Sequence, residues 1–496
     1  MQYSPVLDRS LFPNPGRDIS SQQAPFTEDA AIVVHALADY IRESGNRDVP
    51  VIHQPVLETV IEQLELRQHI ARGDLTGESL RHFVQDYLSA TTRLHHPGFL
   101  AHQVAVPHTT GALGSLIDGA TNNAMAIYEM GPAASSIEYF MINWMLEKIG
   151  WTGTTSNRQL DPQSGHAGGV LTHGGSLANL TALLAARGAR VPAFWKSGNP
   201  GNQVVLVPEQ SHYSMKRAVA ILGLGEDNCL TLPADADGRV QPAHMTEQIA
   251  DLQSQGRQVM AIVANACGTA AGLYDPLTEI AAICREHHIW LHVDAAHGGG
   301  ALVSDKLRHL LHGIELADSV VWDAHKMMCT PTVCAAVLVR DHRHLDHAFE
   351  QEASYLLHAK DQPGFDFISR TVECTKAGLG LRLFMTIAAM GEAGLARHVE
   401  GLVQRAREAA DLIRERIGFE LAIQPETNIL CFRISGDDHI QLEIRRQLLE
   451  LGDFYISSTL YRGQRWLRLV FMNPATSLND IQALLDEIVD IRSGID

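Results

Sequence analysis

Between Val170 and Val339 the chain alternates short, β-rich apolar runs with amphipathic stretches of helical spacing, and few folds accommodate that rhythm. Val170–Thr172, Val204–Val207, Met260–Ala266, Ile289–Val293 and Ser319–Trp322 are each bounded by small or polar residues, as buried parallel strands are. Strand and helix in turn predict an α/β fold: a mostly parallel central sheet with right-handed crossovers. Two of these runs end in ionisable groups. Ile289–Val293 stops at Asp294, followed by Ala295, Ala296 and Gly298–Gly300, and Ser319–Trp322 stops at Asp323, Ala324, His325 and Lys326. Open α/β sheets keep their ligand crevices at the carboxyl ends of strands. A lone Asp there more often caps a helix, and a lone Lys is usually solvated. Together they suit an aldehyde cofactor, which needs a lysine amine for a Schiff base and an anion beside its protonated pyridine nitrogen.

The bulk properties narrow the partners. A chain of 496 residues can bury a large core in two or three domains. Its formal charge of -18 argues against nucleic acid or an anionic membrane as partner. Seven cysteines without a CxxC pair fit a reducing cytoplasm. Neither a signal-peptide core nor a bilayer-length apolar run is expected. No metal site is expected either: HEXXH is absent, and pairs such as His287-His288 fall on a polar helix end.

Further candidates follow along the chain. Residues 1–26 read as an irregular arm, with Thr27 as an N-cap and a second helix at about Pro55–Ala71. Gly174, Gly175 and Ser176 stand between a short strand and a helix start, where converging amides and the helix dipole favour phosphate. His212 follows a buried strand, placed to stack on a flat ring and exchange protons, although a capping role is the ordinary alternative. Thr269 ends the next strand, beside Cys267, which reads as packing rather than a nucleophile. Asp275-Pro276 reads as the start of a helix through His287. Residues 350–376 form a long irregular stretch, uncommon unless functional. Arg468 lies among apolar neighbours in a strand, costly without an anionic partner.

HVDAAHGGG, SVVWDAHKMM and ASYLL resemble the group II pyridoxal-phosphate decarboxylases, most closely the glutamate and cysteine-sulfinate branch, with the likeness running from about His96 to the C-terminus. The resemblance implies an aspartate-aminotransferase-like fold (fold type I), pyridoxal 5'-phosphate as cofactor, and a cytoplasmic homodimer with active sites at the subunit interface. It implies an N-terminal arm and helical layer over 1–95, a large cofactor-binding domain over 96–376 carrying loop 350–376, and a smaller C-terminal α/β domain over 377–496. Lys326 would carry the Schiff base, Asp294 would face the pyridine nitrogen, and His212 would stack on the ring. Gly175, Ser176 and His325 would seat the phosphate, Thr269 and Ala296 would approach the cofactor, and Arg468 would grip the substrate carboxylate.

Three departures from the pattern matter. The branch carries Gln-x-Ser where this chain has His102, Gln103 and Val104, which weakens the case for glutamate. Phe365 stands where a loop tyrosine is expected, and Phe there can divert the reaction to an oxygen-dependent aldehyde synthase. Asp323 replaces a common Asn near the phosphate. The expected activity is α-decarboxylation of an L-amino acid to its amine and carbon dioxide; the branch likeness favours an acidic or small polar substrate, with small diamino and aromatic amino acids left open. An aldehyde synthase and a non-catalytic cofactor-binding homologue are the rivals.

Overall fold

A computed structural model describes residues 23–47, 49–153, 165–349 and 364–495. The chain divides into two compact units: residues 1–99 with 443–455 and 475–496, and residues 100–442 with 456–474.

In the first unit, helix Gln23–Ser44 packs on helix Gly77–Ser89. The junction is tied by the Tyr40 hydroxyl donating to the Thr92 carbonyl, with the Arg93 guanidinium over the Tyr40 ring. Thr27 is not the cap that its sequence suggests. The helix already begins at Gln23, because Pro25 falls in the first turn, where the amide it lacks would have no partner. The stretch expected as one helix over Pro55–Ala71 is two, Leu57–Gln63 and Leu66–Arg72, broken at Glu65 with φ 45°. The helix Leu478–Ser493 starts with a capping box in which Ser477 and Asp480 satisfy each other's backbone amides.

Two sheets build the second unit. The larger has strands β1 (Gly168–Thr172), β2 (Gln203–Val207), β3 (Cys229–Thr231), β4 (Gln258–Asn265), β5 (Trp290–Asp294), β6 (Ser319–Asp323) and β7 (Ala335–Val339), in the order β1-β7-β6-β5-β4-β2-β3. Pairing is parallel from β3 to β6, while β7 runs antiparallel to both of its neighbours. The link from β6 to β7, residues 324–334, contains no helix, and a parallel return needs a crossover of a dozen residues or more. Strands β4 and β5 are in register at Asn265 and Asp294, and β6 ends nearby at Asp323, so polar strand ends gather on one edge.

Asp275 does not cap the following helix. Its carboxylate accepts from the Val240 and Asn265 amides, and helix Leu277–Glu286 starts after Pro276. The smaller sheet, β8 (Phe419–Leu421), β9 (Ile429–Ile434), β10 (Ser457–Tyr461) and β11 (Gln464–Val470), is antiparallel, ordered β10-β11-β9-β8.

Contrary to expectation, one helix, Leu379–Glu415, is long and apolar enough to cross a membrane by composition. It is a core helix of this unit: it packs on helices Thr109–Thr121 and Pro132–Ile149, buries Leu379, Leu383 and Leu395, and is kinked at Gly391, where φ is 67°.

Candidate active site

The carboxyl edge of β1, β4, β5 and β6 encloses a cavity of about 270 Å3. Gly175, Ser176, His212, Thr269, Asp294, Ala296, His325 and Lys326, the residues expected at a cofactor, all line it. The alternation in the sequence explains the convergence: each comes from a strand end or the loop that follows, and parallel strands bring those ends to one edge.

Asp294 is held from both oxygens. Oδ1 accepts from the Ala296 amide at 3.1 Å and Oδ2 from Asn179 Nδ2 at 3.0 Å. Asn179, in helix Gly175–Arg190, also donates to Ser214 Oγ at 3.0 Å, so its Oδ1 is the acceptor facing His292 Nε2 at 3.1 Å. His292 Nδ1 lies 2.9 Å from Ser319 Oγ, which accepts from Trp290 Nε1 at 2.8 Å. Each donor in this chain is matched to one acceptor, which orients the carboxylate and fixes the His292 tautomer with hydrogen on Nε2. Burial pushes His292 down to about 4, so its neutral form is the one built in.

His212 joins the same network. Its Nδ1 accepts from the Ser214 hydroxyl at 2.8 Å, leaving hydrogen on Nε2. Burial lowers the His212 pKa, opposed in part by the nearby Asp294 charge. His212 is therefore a neutral ring at physiological pH, suited to lie against a flat cofactor.

On the other side, helix Gly175–Arg190 points its N-terminus at the cavity, after Gly174 at φ 102°. A Cβ on Gly175 would meet Asp323 Oδ2 at 2.7 Å, so only glycine leaves room there. Lys326 Nζ lies 3.2 Å from Asp323 Oδ2. His325 is held through Nδ1 to the Cys334 carbonyl at 2.9 Å, with Nε2 3.8 Å from Asp323. A lysine amine, the buried carboxylate of Asp294, a flat neutral imidazole and a helix N-terminus fit the amine-reactive, pyridine and phosphate parts of pyridoxal phosphate.

Arg468, in β11, lines an adjoining cleft with His102, Ser457, Ser458 and Thr459, and this cleft shares His212 and Thr269 with the first. The guanidinium is buried, and it donates to the Thr269, Ala270 and Ala101 carbonyls and to Ser457 Oγ at 2.9–3.4 Å. Burial lowers its pKa, and among the described residues no carboxylate pairs with it. Phe365, expected at the substrate, lines neither cleft. Its ring packs on Phe367 at 4.6 Å and Tyr139 at 5.3 Å, under the Arg370 guanidinium. Tyr355 and most of loop 350–376 lie outside the described residues.

Several cavity residues escaped the sequence reading: His173, Asn179, Asn265 and His297. Asn179 and Asn265 carried a readable signal, one sitting a turn into the helix after the glycines and the other closing a strand. His297 lies within HVDAAHGGG, three residues past the strand end at Asp294. It is buried and pushed down to about 3, with Nε2 2.7 Å from Asn428 Oδ1. Cys267 also lines the cavity, but burial pushes its thiol up to about 12, which fits packing rather than nucleophilic attack.

Comparison with known proteins places this geometry. Residues 78–435 match the pyridoxal-dependent decarboxylase conserved domain. The chain is 30% identical over 437 residues to the acidic amino acid decarboxylase GADL1 of Mus musculus, covering 83% of this chain and 77% of that one. It is 28% identical over 436 residues to the L-2,4-diaminobutyrate decarboxylase of Acinetobacter baumannii, covering 83% of each. The crystal structure of mouse CSAD superposes with a TM-score of 0.83 at 25% identity, covering 95% of this chain and 100% of that one. The fold also matches that of Oryza sativa TDC with PLP and tryptamine, at a TM-score of 0.86 and 22% identity, covering 96% of this chain and 99% of that one. The chain belongs to the group II pyridoxal-phosphate-dependent amino-acid decarboxylases.

Proposed function

We propose that the protein removes the α-carboxylate of a small L-amino acid with an acidic or short polar side chain, releasing carbon dioxide and the amine. The observation that carries this reading is Arg468, a buried guanidinium whose described hydrogen bonds all end on neutral oxygens. A carboxylate ligand supplies the charge it lacks, and the planar fork suits that geometry. The hydroxyls of Ser457, Ser458 and Thr459 line the same cleft with His102, Glu209 and Gln210, which favours a polar side chain over a bulky aromatic one.

The bound cofactor supplies the electron sink for cleavage of the carboxylate bond. Around it, Lys326 would hold the aldehyde carbon, Asp294 would keep the pyridine nitrogen protonated, and the N-terminus at Gly175 and Ser176 would take the phosphate with His325. Thr269 and Ala296, which line the cavity, would border the ring, and His212 would lie against it with Nε2–H as a donor. The convergence of these groups argues against a non-catalytic homologue. Phe365, whose ring packs on Tyr139 and Phe367, keeps an aldehyde synthase as the rival that the product assay below must separate.

A homodimer with composite sites completes the proposal. Leu113, Leu116 and Ile117 form an exposed apolar stripe on helix Thr109–Thr121, which a second copy of the chain would cover. A reducing, cytoplasmic compartment fits the seven cysteines, all of them free.

The test is a panel of amino acids assayed for carbon dioxide, amine, aldehyde and peroxide. Equal yields of carbon dioxide and amine from a small acidic or polar substrate are expected. Aldehyde with peroxide, or fastest turnover of an aromatic amino acid, would sink the reading.

A further inference from the structure

Asp323 has no role in the scheme above, yet it stands at the centre of the site. It ends β6, is 2% exposed, and lines the cavity. Oδ2 lies 3.2 Å from Lys326 Nζ and 3.8 Å from His325 Nε2, while Oδ1 has no hydrogen-bond partner among the described residues. The carboxyl also abuts the start of helix Gly175–Arg190, as the contact with Gly175 shows. An acid thus sits between the amine that meets the aldehyde and the amides that meet the phosphate. Its charge is wrong for a phosphate and right for an ammonium. The pair is also shielded from water, with side-chain exposures of 18% for Lys326 and 2% for Asp323, so solvent weakens it less than a surface pair.

We propose that Asp323 is a positioning residue, the counter-ion that parks Lys326 as an ammonium whenever the lysine is not joined to the cofactor, so that cofactor capture is restrained. This rests on the reading of Lys326 as the cofactor lysine. Capture needs the neutral amine. The ammonium first gives its proton to solvent, the nitrogen then forms a C=N bond with the aldehyde carbon, and the aldehyde oxygen leaves as water. Asp323 opposes the departure of Nζ toward the aldehyde, because that movement breaks the 3.2 Å ion pair and leaves a buried carboxylate alone. It opposes entry of the phosphate by like charge as well.

The full-length protein, freed of cofactor, tests this as the parent and as Asp323→Asn. Each is mixed with pyridoxal, which has the aldehyde but no phosphate, and capture is followed by the visible absorbance of the lysine-bound form. Asp323→Asn is expected to capture pyridoxal at least about tenfold faster at neutral pH, the scale of one charge contact in a partly screened site. Pyridoxal phosphate should gain at least as much. Structural damage slows capture, so a gain is not what a merely structural residue would give.

Capture of pyridoxal no faster than by the parent overturns the proposal. If Asp323→Asn does not fold, Asp323→Ser is read in the same way. Borohydride trapping of the parent with peptide mapping separates the two layers. A label on Lys326 without the gain sinks the counter-ion role alone, and a label on a different lysine sinks the reading of Lys326 with it.

Discussion

Asp294→Asn perturbs the site most cleanly, because it keeps the shape and removes the charge. An anion against the pyridine nitrogen favours its protonated form, and the ring withdraws electrons poorly without that proton. The structure adds a second cost. Both oxygens of Asp294 accept hydrogen bonds, from Ala296 N and from Asn179 Nδ2, and an amide offers only one acceptor. The new NH2 must therefore face a donor.

Asn179 cannot turn to accommodate it without losing Ser214 and facing His292 Nε2–H with its own NH2. One buried donor is left unsatisfied, at about 1–3 kcal/mol of stability. We expect turnover to fall at least about a hundredfold, roughly 3 kcal/mol of barrier, with cofactor retained. Asn179→Ala, which keeps the charge and removes one of the two donors, should lose less. The assay is carbon dioxide release from the best substrate of the panel at saturating cofactor, with cofactor content measured separately. Turnover of Asp294→Asn within about twofold of the parent, far from the roughly 3 kcal/mol that the missing charge is asked to supply, would show that Asp294 is not the pyridine partner.

Arg468→Met should lower kcat/KM by roughly thirty- to a thousandfold, because a charge-assisted pair with the substrate carboxylate is worth about 2–4 kcal/mol. Unchanged steady-state kinetics would remove Arg468 from the substrate site. His292 gives a pH signature: its folded pKa is pushed down to about 4 from 6.5, so the unfolded chain binds the proton first. Its contribution to stability is whole above pH 6.5 and is lost as pH falls toward 4, at about 1.4 kcal/mol per unit. Urea titrations at pH 7 and pH 4.5 should show a smaller loss in His292→Gln than in the parent, and equal losses would contradict the buried neutral ring.

Alternation of strand and helix, with polar residues closing each strand, was enough in the sequence to predict the parallel sheet and the edge where Asp294, Lys326 and His212 meet. That inference works because parallel strands all end on one side, so local order along the chain becomes spatial order. Arg468 stood out for a different reason: a charge inside an apolar strand is expensive, and the structure buries it in β11 at a cleft. Cap signals were read less well. Thr27 and Asp275 have cap chemistry, but the helix beginning at Gln23 and the amides of Val240 and Asn265 outcompeted it.

Only tertiary structure could show that Asn179, His292, Ser214 and Ser319 form one wired support beneath Asp294, because they come from separate segments of the chain and no spacing announces them. Tertiary structure also moved Phe365 into an aromatic cluster and left Asp323 Oδ1 without a partner beside Lys326. A residue's type limits which hydrogen bonds and charges it can offer, but the partners that answer them are set by packing between segments distant along the chain.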